Sequence, residues 1–402
     1  MSEWREERLG NLIDIKHGFA FKGEFFSDIP TENILLSPGN FHIGGGFKDD
    51  KLKYYSGEFP EDYILKENDV IVTMTDLSKE GDTLGYSAKI PSSSKNIFLH
   101  NQRLGLVKSK SNQVDINFIY WLLRTREYQK TIVNSCTGST VKHTSPGRIQ
   151  DYSFKLPSLV EEQKAIADVL SCLDAKIENL RSQNQTLEKI AQALFNHWFM
   201  DFEFPNDSDE PYKSSGGAMV ASELGDIPVG WEVQSLRSVM TLKYGKSLTS
   251  ETRVNGEYPV IGSNGIVGNH NKFIVDAPGI VIGRKGTIGK VIWIEDNFYP
   301  IDTTFYIADC LGCVGLYFHY FLIKNQEFNR LTSDSAVPGL NRETVYCVET
   351  VVPNVSIIDR YNSMVKVIFQ KINNNSKQIQ TLTKTRDTLL PKLMSGQIRV
   401  TE

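Results

Sequence analysis

Two long stretches of this chain place an apolar residue at every third or fourth position, and the remainder breaks into short apolar runs punctuated by Gly and Asn. From Pro157 to about Phe199 the positions Ile166, Leu170, Leu173, Ile177, Leu180, Leu187, Ala191, Leu194 and Trp198 step by alternating threes and fours, with Asn184 in the one skipped place. From Pro353 to about Leu393 the positions Ile358, Tyr361, Val365, Ile368, Ile372, Ile379, Leu382, Leu389 and Leu393 do the same, interrupted by Asn375 and Arg386. A seam repeating every 3.5 residues over this length predicts coiled-coil helices, because an ordinary amphipathic surface helix does not sustain it. Two such helices in one chain can be each other's partner.

The segments before each helix repeat as well. Trp4 leads by five residues to Leu9 and by fourteen to Gly18; Trp231 leads to Leu236 and Gly245 at the same spacings, an offset of 227. The run Asp69–Thr73 resembles Gly279–Gly283 and Gly85–Lys89 resembles Gly289–Trp293, each a short predicted strand, and the aromatic runs Phe118–Leu123 and Tyr317–Leu322 align at an offset of 199. Helices are expected over 116–130 and 313–330. The chain thus reads globule, helix, globule, helix: residues 1–156, 157–203, a Pro/Asp/Ser/Gly-rich linker over 204–225, 226–352 and 353–402. The expected fold class is α+β, two similar globules separated by two long antiparallel helices in pseudo-twofold relation.

If Asn184 lies opposite Asn375, antiparallel pairing sets Ile166 against Leu393, Leu170 against Leu389, Ile177 against Leu382, Leu180 against Ile379, Leu187 against Ile372, Leu194 against Val365 and Trp198 against Tyr361, with small Ala191 facing Ile368. The two asparagines are then expected to hydrogen-bond across the seam and fix its register. About 35 helical residues at ~1.5 Å each span roughly 50 Å. Two globules on such a rod suit a bipartite ligand, and duplex DNA, whose half-sites recur about every 34 Å, is the obvious one.

Charge sharpens the helix pairing more than it does the ligand. The net charge is −4 and the pI near 6.0, which argues weakly against nucleic-acid binding. Yet residues 157–203 carry 4 Lys/Arg against 8 Asp/Glu and residues 353–402 carry 8 against 3, so each helix prefers the other to a copy of itself. Five cysteines, Cys136, Cys172, Cys310, Cys313 and Cys347, lack a framework spacing, and the single C-x-x-C at Cys310–Cys313 has no second pair to complete a zinc site. No apolar run approaches the ~20 residues of a membrane span and Met1–Arg5 lacks a signal peptide's apolar stretch, so a cytoplasmic protein is expected.

Three strings carry a family resemblance: Leu194-Phe-Asn-His-Trp-Phe-Met-Asp-Phe202, Glu223-Leu-Gly-Asp-Ile-Pro-Val-Gly-Trp-Glu-Val233 and Leu389-Leu-Pro-Lys-Leu-Met-Ser-Gly-Gln-Ile398. Together they resemble the specificity (S) subunit of type I restriction-modification enzymes over the full length, the globules matching in layout only. The resemblance implies two target recognition domains, each reading half of a split DNA sequence, with the helical regions setting the spacer and docking two methyltransferase (M) subunits and restriction (R) subunits joining outside. It places the chemistry in those partners: S-adenosylmethionine with M, ATP and Mg with R. The sequence agrees, having neither an N-P-P-Y-type tetrapeptide nor a G-x-x-x-x-G-K-S/T loop. No catalytic or metal residue is expected, and no cofactor in this chain. The competing readings are a protein-binding coiled-coil scaffold, which would select no DNA sequence, and a fused bipartite methyltransferase-nuclease, for which the repeats leave no room.

Base edges are read by side chains with paired donors or acceptors on loops beside Gly. In the second globule the best candidate is Ile282–Gly289, where Gly286 permits close approach and Arg284 and Lys285 supply charge for phosphate or guanine. Lys246, Asn264, Thr303, Thr304, Asn341 and Arg342 are further candidates, though Asn264-Gly265 also suits a plain turn. The parallel places in the first globule are Lys22, Lys79, Arg103, Thr140, Lys142, His143 and Arg148. Phe19 and Phe21 read as core.

Overall fold

A computed structural model describes residues 3–309, 314–331 and 339–400. It divides into two compact units, residues 1–178 with 379–402, and residues 179–378. The heptad stretches form the helices Val160–Phe195 and Val355–Met394, and each unit takes a part of both. The linear scheme of five consecutive ranges therefore does not coincide with the compact units, because the seam between the helices is itself core in each of them. Cys310 and Cys313 lie outside the described residues.

In the first unit the apolar run Val70–Thr73 lies within an antiparallel sheet ordered Ile13–His17, Leu104–Ser109, Val70–Thr73, Ser87–Lys89. A second sheet is ordered Phe26–Ser27, Tyr54–Tyr55, Asn33–Leu35, Ile97–Leu99, Ile64–Leu65. The expected helix over 116–130 is two, Ile116–Leu122 and Arg126–Asn134, because Thr125 leaves the first as an extended residue and caps the second. Trp121, Phe118 and Leu9 share one buried cluster with Ile166 and Leu170 of the first long helix and Leu393 of the second. Trp4–Arg8 pairs antiparallel with Ser153–Pro157, Trp4 opposite Pro157.

Arg386, the charged interruption of the heptad, finds its reason here. It is hydrogen-bonded to Asp174 across the helix pair, and Asp174 also accepts from Arg124 at 2.7 Å. Arg124 is 5% exposed; it donates to Tyr120 Oη at 2.6 Å and to Gly44 O at 3.0 Å, and its guanidinium stacks 4.4 Å from the Trp121 ring. Burial alone would raise the Asp174 carboxyl, but the charges and hydrogen bonds of Arg124 and Arg386 override it and hold it below the ordinary value.

The second unit repeats the plan: Lys243–Tyr244, Thr304–Ile307, Gly279–Gly283 and Val291–Ile294 form one sheet, and Gly265–His270, Tyr258–Gly262 and Tyr299–Pro300 another. Glu232–Ser235 pairs with Glu349–Val352 as Trp4–Arg8 does with Ser153–Pro157. The segment expected as one helix over 313–330 is the helix Tyr317–Lys324 and a short turn Phe328–Leu331. Its core is aromatic: Phe195, Trp198 and Phe199 pack on Phe318 and Tyr361, with Trp198 and Tyr361 centroids 6.0 Å apart. Across the seam, Asn375 Nδ2 donates to Asn184 Oδ1 at 2.9 Å, and Asn184 Nδ2 donates to Ser376 Oγ at 3.3 Å. The antiparallel sense is plain within each unit, since Glu162 meets Arg399 and Asp174 meets Arg386 in the first, while Asn184 meets Asn375 and the Ala191 carbonyl meets Tyr361 in the second.

One device appears twice. Gln163, fully buried, accepts the Asp115 N–H at 2.8 Å and donates to Gln113 O; Asn362, 3% exposed, accepts the Phe318 N–H at 2.8 Å and donates to Val314 O. Each clamps the start of a globule helix onto a long helix. The linker expected over 204–225 is exposed over most of its length but folded: Phe204 is buried, its ring stacks 4.5 Å from Tyr212 and 4.8 Å from Trp231, and Met219–Ser222 forms a hairpin with Gly225–Pro228. Its polar composition hid the two aromatic rings that anchor it.

Candidate nucleic-acid interface

The loops singled out in the second globule converge. Arg284 and Lys285 both donate their N–H to Thr303 O, at 2.9 and 3.1 Å, and the Leu340 N–H donates to Arg284 O at 2.9 Å. Gly245 N–H donates to Thr304 O and Lys246 N–H to Pro300 O. Ser263 and Asn264 form the turn of the Tyr258–Gly262/Gly265–His270 hairpin, with Gly265 opening the second strand, and Lys290 Nζ holds it through both Asn264 oxygens at 2.8 and 2.9 Å. Gly286 has φ +80°, and a Cβ there would come 3.3 Å from Ser263 Oγ.

The same backbone pattern recurs in the first globule. Met74 N–H donates to Arg103 O and Thr144 N–H to Met74 O, as Arg284 does to Thr303 and Leu340 to Arg284. Gly18 N–H donates to Leu104 O and Phe19 N–H to His100 O, matching Gly245 and Lys246. A Cβ on Gly18 would sit 2.1 Å from Asn101 O, and one on Gly245 2.1 Å from Ile301 O. Lys142-His143 pairs with Thr75-Asp76 where Lys285 bridges Gly339. Ser145 caps the helix Pro146–Gln150 and Asn341 caps Arg342–Tyr346. The two frames are therefore built alike while their side chains differ.

The side chains sort accordingly. Lys79, Arg103, Thr140 and His143 are exposed around the first frame, with Lys142 and Arg148 half-buried; His143 Nδ1 lies 3.2 Å from the Thr75 hydroxyl, and Arg148 reaches Thr137 Oγ1 at 3.4 Å. Lys22 is exposed, and its carbonyl accepts the Phe25 N–H at 3.2 Å. Phe19 and Phe21 pack edge-to-face at 5.2 Å in an aromatic cluster, as core. In the second frame Lys246 and Lys285 are exposed, and the guanidinium groups of Arg284 and Arg342 lie 5.1 and 5.0 Å from one Tyr244 ring. Two candidates take structural work instead. Thr304 is fully buried with its hydroxyl donated to Ile301 O at 2.8 Å, and Asn341 spends its Oδ1 on the Glu343 N–H at 2.8 Å.

Asp76 lies within the stretch from Thr75 to Lys79 that the sequence marks as a candidate, but its role in holding the loop, and that of Lys290, were not singled out. Asp76 is 4% exposed and accepts the Ser78 N–H, the Thr83 N–H and the Thr83 hydroxyl, each at 2.6 Å. Burial would raise its carboxyl, but these hydrogen bonds outweigh it and hold it below the ordinary value. The Asp-x-Ser spacing of an Asx turn was the available signal. His100, whose carbonyl takes the Phe19 N–H, is pushed down to about 4 by burial and is neutral at pH 7.

The model of a family described as type I restriction modification DNA specificity domain matches residues 1–189 and 228–388. This chain belongs to that family. Among relatives, the type I restriction enzyme MjaIX specificity subunit of Methanocaldococcus jannaschii is 27% identical over 331 residues, spanning 77% of this chain and 74% of its own. The HindI specificity subunit of Haemophilus influenzae is 25% identical over 492 aligned residues, covering 99% of this chain and 100% of its own. The crystal structure of a type I restriction-modification S subunit from M. genitalium shares the fold, with a TM-score of 0.57 at 19% identity over 100% of this chain and 97% of that one. The repeated frame is thus part of a specificity-subunit fold, and no helix among the described residues is long and apolar enough to cross a membrane.

Proposed function

We propose that this chain is the DNA-sequence specificity subunit of a type I restriction-modification complex, each frame reading one half of a bipartite target. One observation carries the reading: the same network of backbone hydrogen bonds is built twice, and it carries Lys79, Arg103, Lys142 and His143 in one copy and Lys246, Arg284, Lys285 and Arg342 in the other. A constant frame with different side chains is what two readers of different half-sites need, so the target is asymmetric. The subunit is non-catalytic and acts in the cytoplasm with two M subunits and with R subunits. S-adenosylmethionine, ATP and Mg belong to those partners. Acidic overall, it leaves much of the phosphate clamping to M, so the isolated chain binds DNA weakly and salt-sensitively.

The long helices supply the spacer. The 36 residues of Val160–Phe195 at ~1.5 Å each span about 54 Å, and the Asn184–Asn375 pair is the register mark. Methylation-sensitive long-read sequencing of DNA exposed to the chain with its M partners tests the whole reading: one split, asymmetric motif is expected, and absence of any selected sequence would refute it. Inserting a helical turn into both long helices is expected to change the spacer and leave the bases at both halves unaltered.

Arg284 is the strongest single reader. Its guanidinium is pre-positioned against Tyr244 and tied to Asp302 O at 3.3 Å, so little side-chain freedom is lost on binding. Arg284→Ala is expected to relax one base of the second half and to lower affinity by about 5- to 150-fold, the 1–3 kcal/mol of a bidentate base contact. Lys285→Ala, by contrast, should weaken binding evenly across sequences and flatten the salt dependence by about one phosphate. Competition binding at several salt concentrations separates the two.

A further inference from the structure

Two large aliphatic side chains near the frames stand in solvent: Leu77 in the first globule is 66% exposed and Ile266 in the second 68%. Leu77 begins a loop that the second frame lacks. Thr73 bonds to Tyr86 and Gly85 as Gly283 does to Lys290 and Gly289, but residues 74–84 intervene in the first and only 284–288 in the second. The extra loop is held firmly. Asp76 grips Ser78 and Thr83, Ser78 Oγ accepts the Asp82 N–H at 2.9 Å, and Gln129 Nε2 donates to Gly81 O at 2.9 Å. Lys142 is strand-paired with Asp76, and Lys79 stands exposed two residues beyond Leu77. Apart from the buried Asp76, the acidic residues of the loop, Glu80 and Asp82, line a groove that includes none of Leu77, Lys79 or Lys142. Ile266 lies in the strand after the Ser263-Asn264 turn, which Lys290 holds and whose Ser263 Oγ would lie 3.3 Å from a Cβ on Gly286, next to Lys285.

A fixed aliphatic side chain among cations gains nothing from water. Against DNA it has one specific partner, since the only apolar group a major groove displays on its base edges is the 5-methyl of thymine. We propose that Leu77 and Ile266 each contact the 5-methyl group of a thymine in the half-site read by their own frame. The proposal rests on the reading that both frames bind duplex DNA.

The test uses the chain with its two M subunits and duplexes carrying the mapped target, in which each thymine on either strand is replaced singly by deoxyuridine. One thymine per half-site is expected to lower affinity about fivefold on losing its methyl, of the order of one buried methyl group. Leu77→Ala is expected to abolish that penalty in the first half and leave it in the second; Ile266→Ala is expected to do the reverse. Unchanged melting of both variants shows that they fold. A half-site without thymine on either strand, a target indifferent to every deoxyuridine, or a variant that keeps the penalty at its own half overturns the proposal. A complex that selects no bipartite sequence at all instead removes the underlying reading, and the proposal with it.

Discussion

Gly245→Ala is expected to abolish reading by the second frame while the first goes on working. The added Cβ would lie 2.1 Å from Ile301 O and 2.7 Å from Pro300 O, both backbone atoms, so no side-chain rotation can relieve the clash. The loop must move, and with it go the Gly245–Thr304 and Lys246–Pro300 hydrogen bonds that hold Lys246 and the Thr303 carbonyl serving Arg284 and Lys285. A forced rearrangement of this kind costs about 3 kcal/mol or more, at the severe end for a single substitution. Methylation mapping of the variant complex is expected to show a motif degenerate in its second half and intact in its first. Gly18→Ala, with its Cβ 2.1 Å from Asn101 O, should give the mirror result. A variant motif identical to the parent's would show that the frame does not position the readers.

Arg124→Leu is expected to be the most destabilising change in the first unit, by about 3–5 kcal/mol, because it leaves the buried Tyr120 hydroxyl and the Asp174 carboxylate short of a partner. Denaturant unfolding of the full chain reads it. Replacing all three charges together, Arg124→Leu, Asp174→Leu and Arg386→Leu, should restore most of the loss, since an apolar substitute for a whole buried ion network avoids the uncompensated charge. The pH dependence follows from Asp174, whose carboxyl is depressed in the folded chain. Its contribution is fully present above the ordinary carboxylate range and is lost as pH falls through the depressed folded value. The triple variant should lack that part of the acid transition.

The periodic parts of this architecture were legible because a heptad states both an element and its partner. Asn184 and Asn375, read as a pair from spacing alone, lie 2.9 Å apart. The frame was legible in outline, through the glycines at 18 and 245 and the basic runs beside them. What stayed hidden depends on contacts remote in sequence. Nothing local announces that Arg386 answers an arginine 262 positions earlier through Asp174, or that Thr304 turns inward while Thr303 does not. The segment 204–225 read as linker because two rings, Phe204 and Tyr212, outweigh ten polar neighbours only once they are stacked.

The first unit draws on residues 1–178 and on residues 379–402, with the whole of the second encoded between them. Synthesis proceeds from one end and domains fold as they emerge. Asp174 and the apolar face of Ile166 and Leu170 therefore leave the ribosome some two hundred residues ahead of Arg386 and Leu393, the groups that cover them. Once residue 378 has been made, the nascent chain holds an unfinished first unit and a second one that already has all of its parts. A translational pause after residue 378 should prolong the exposure of that face, and a chaperone bound there would be released by the arrival of residues 379–402.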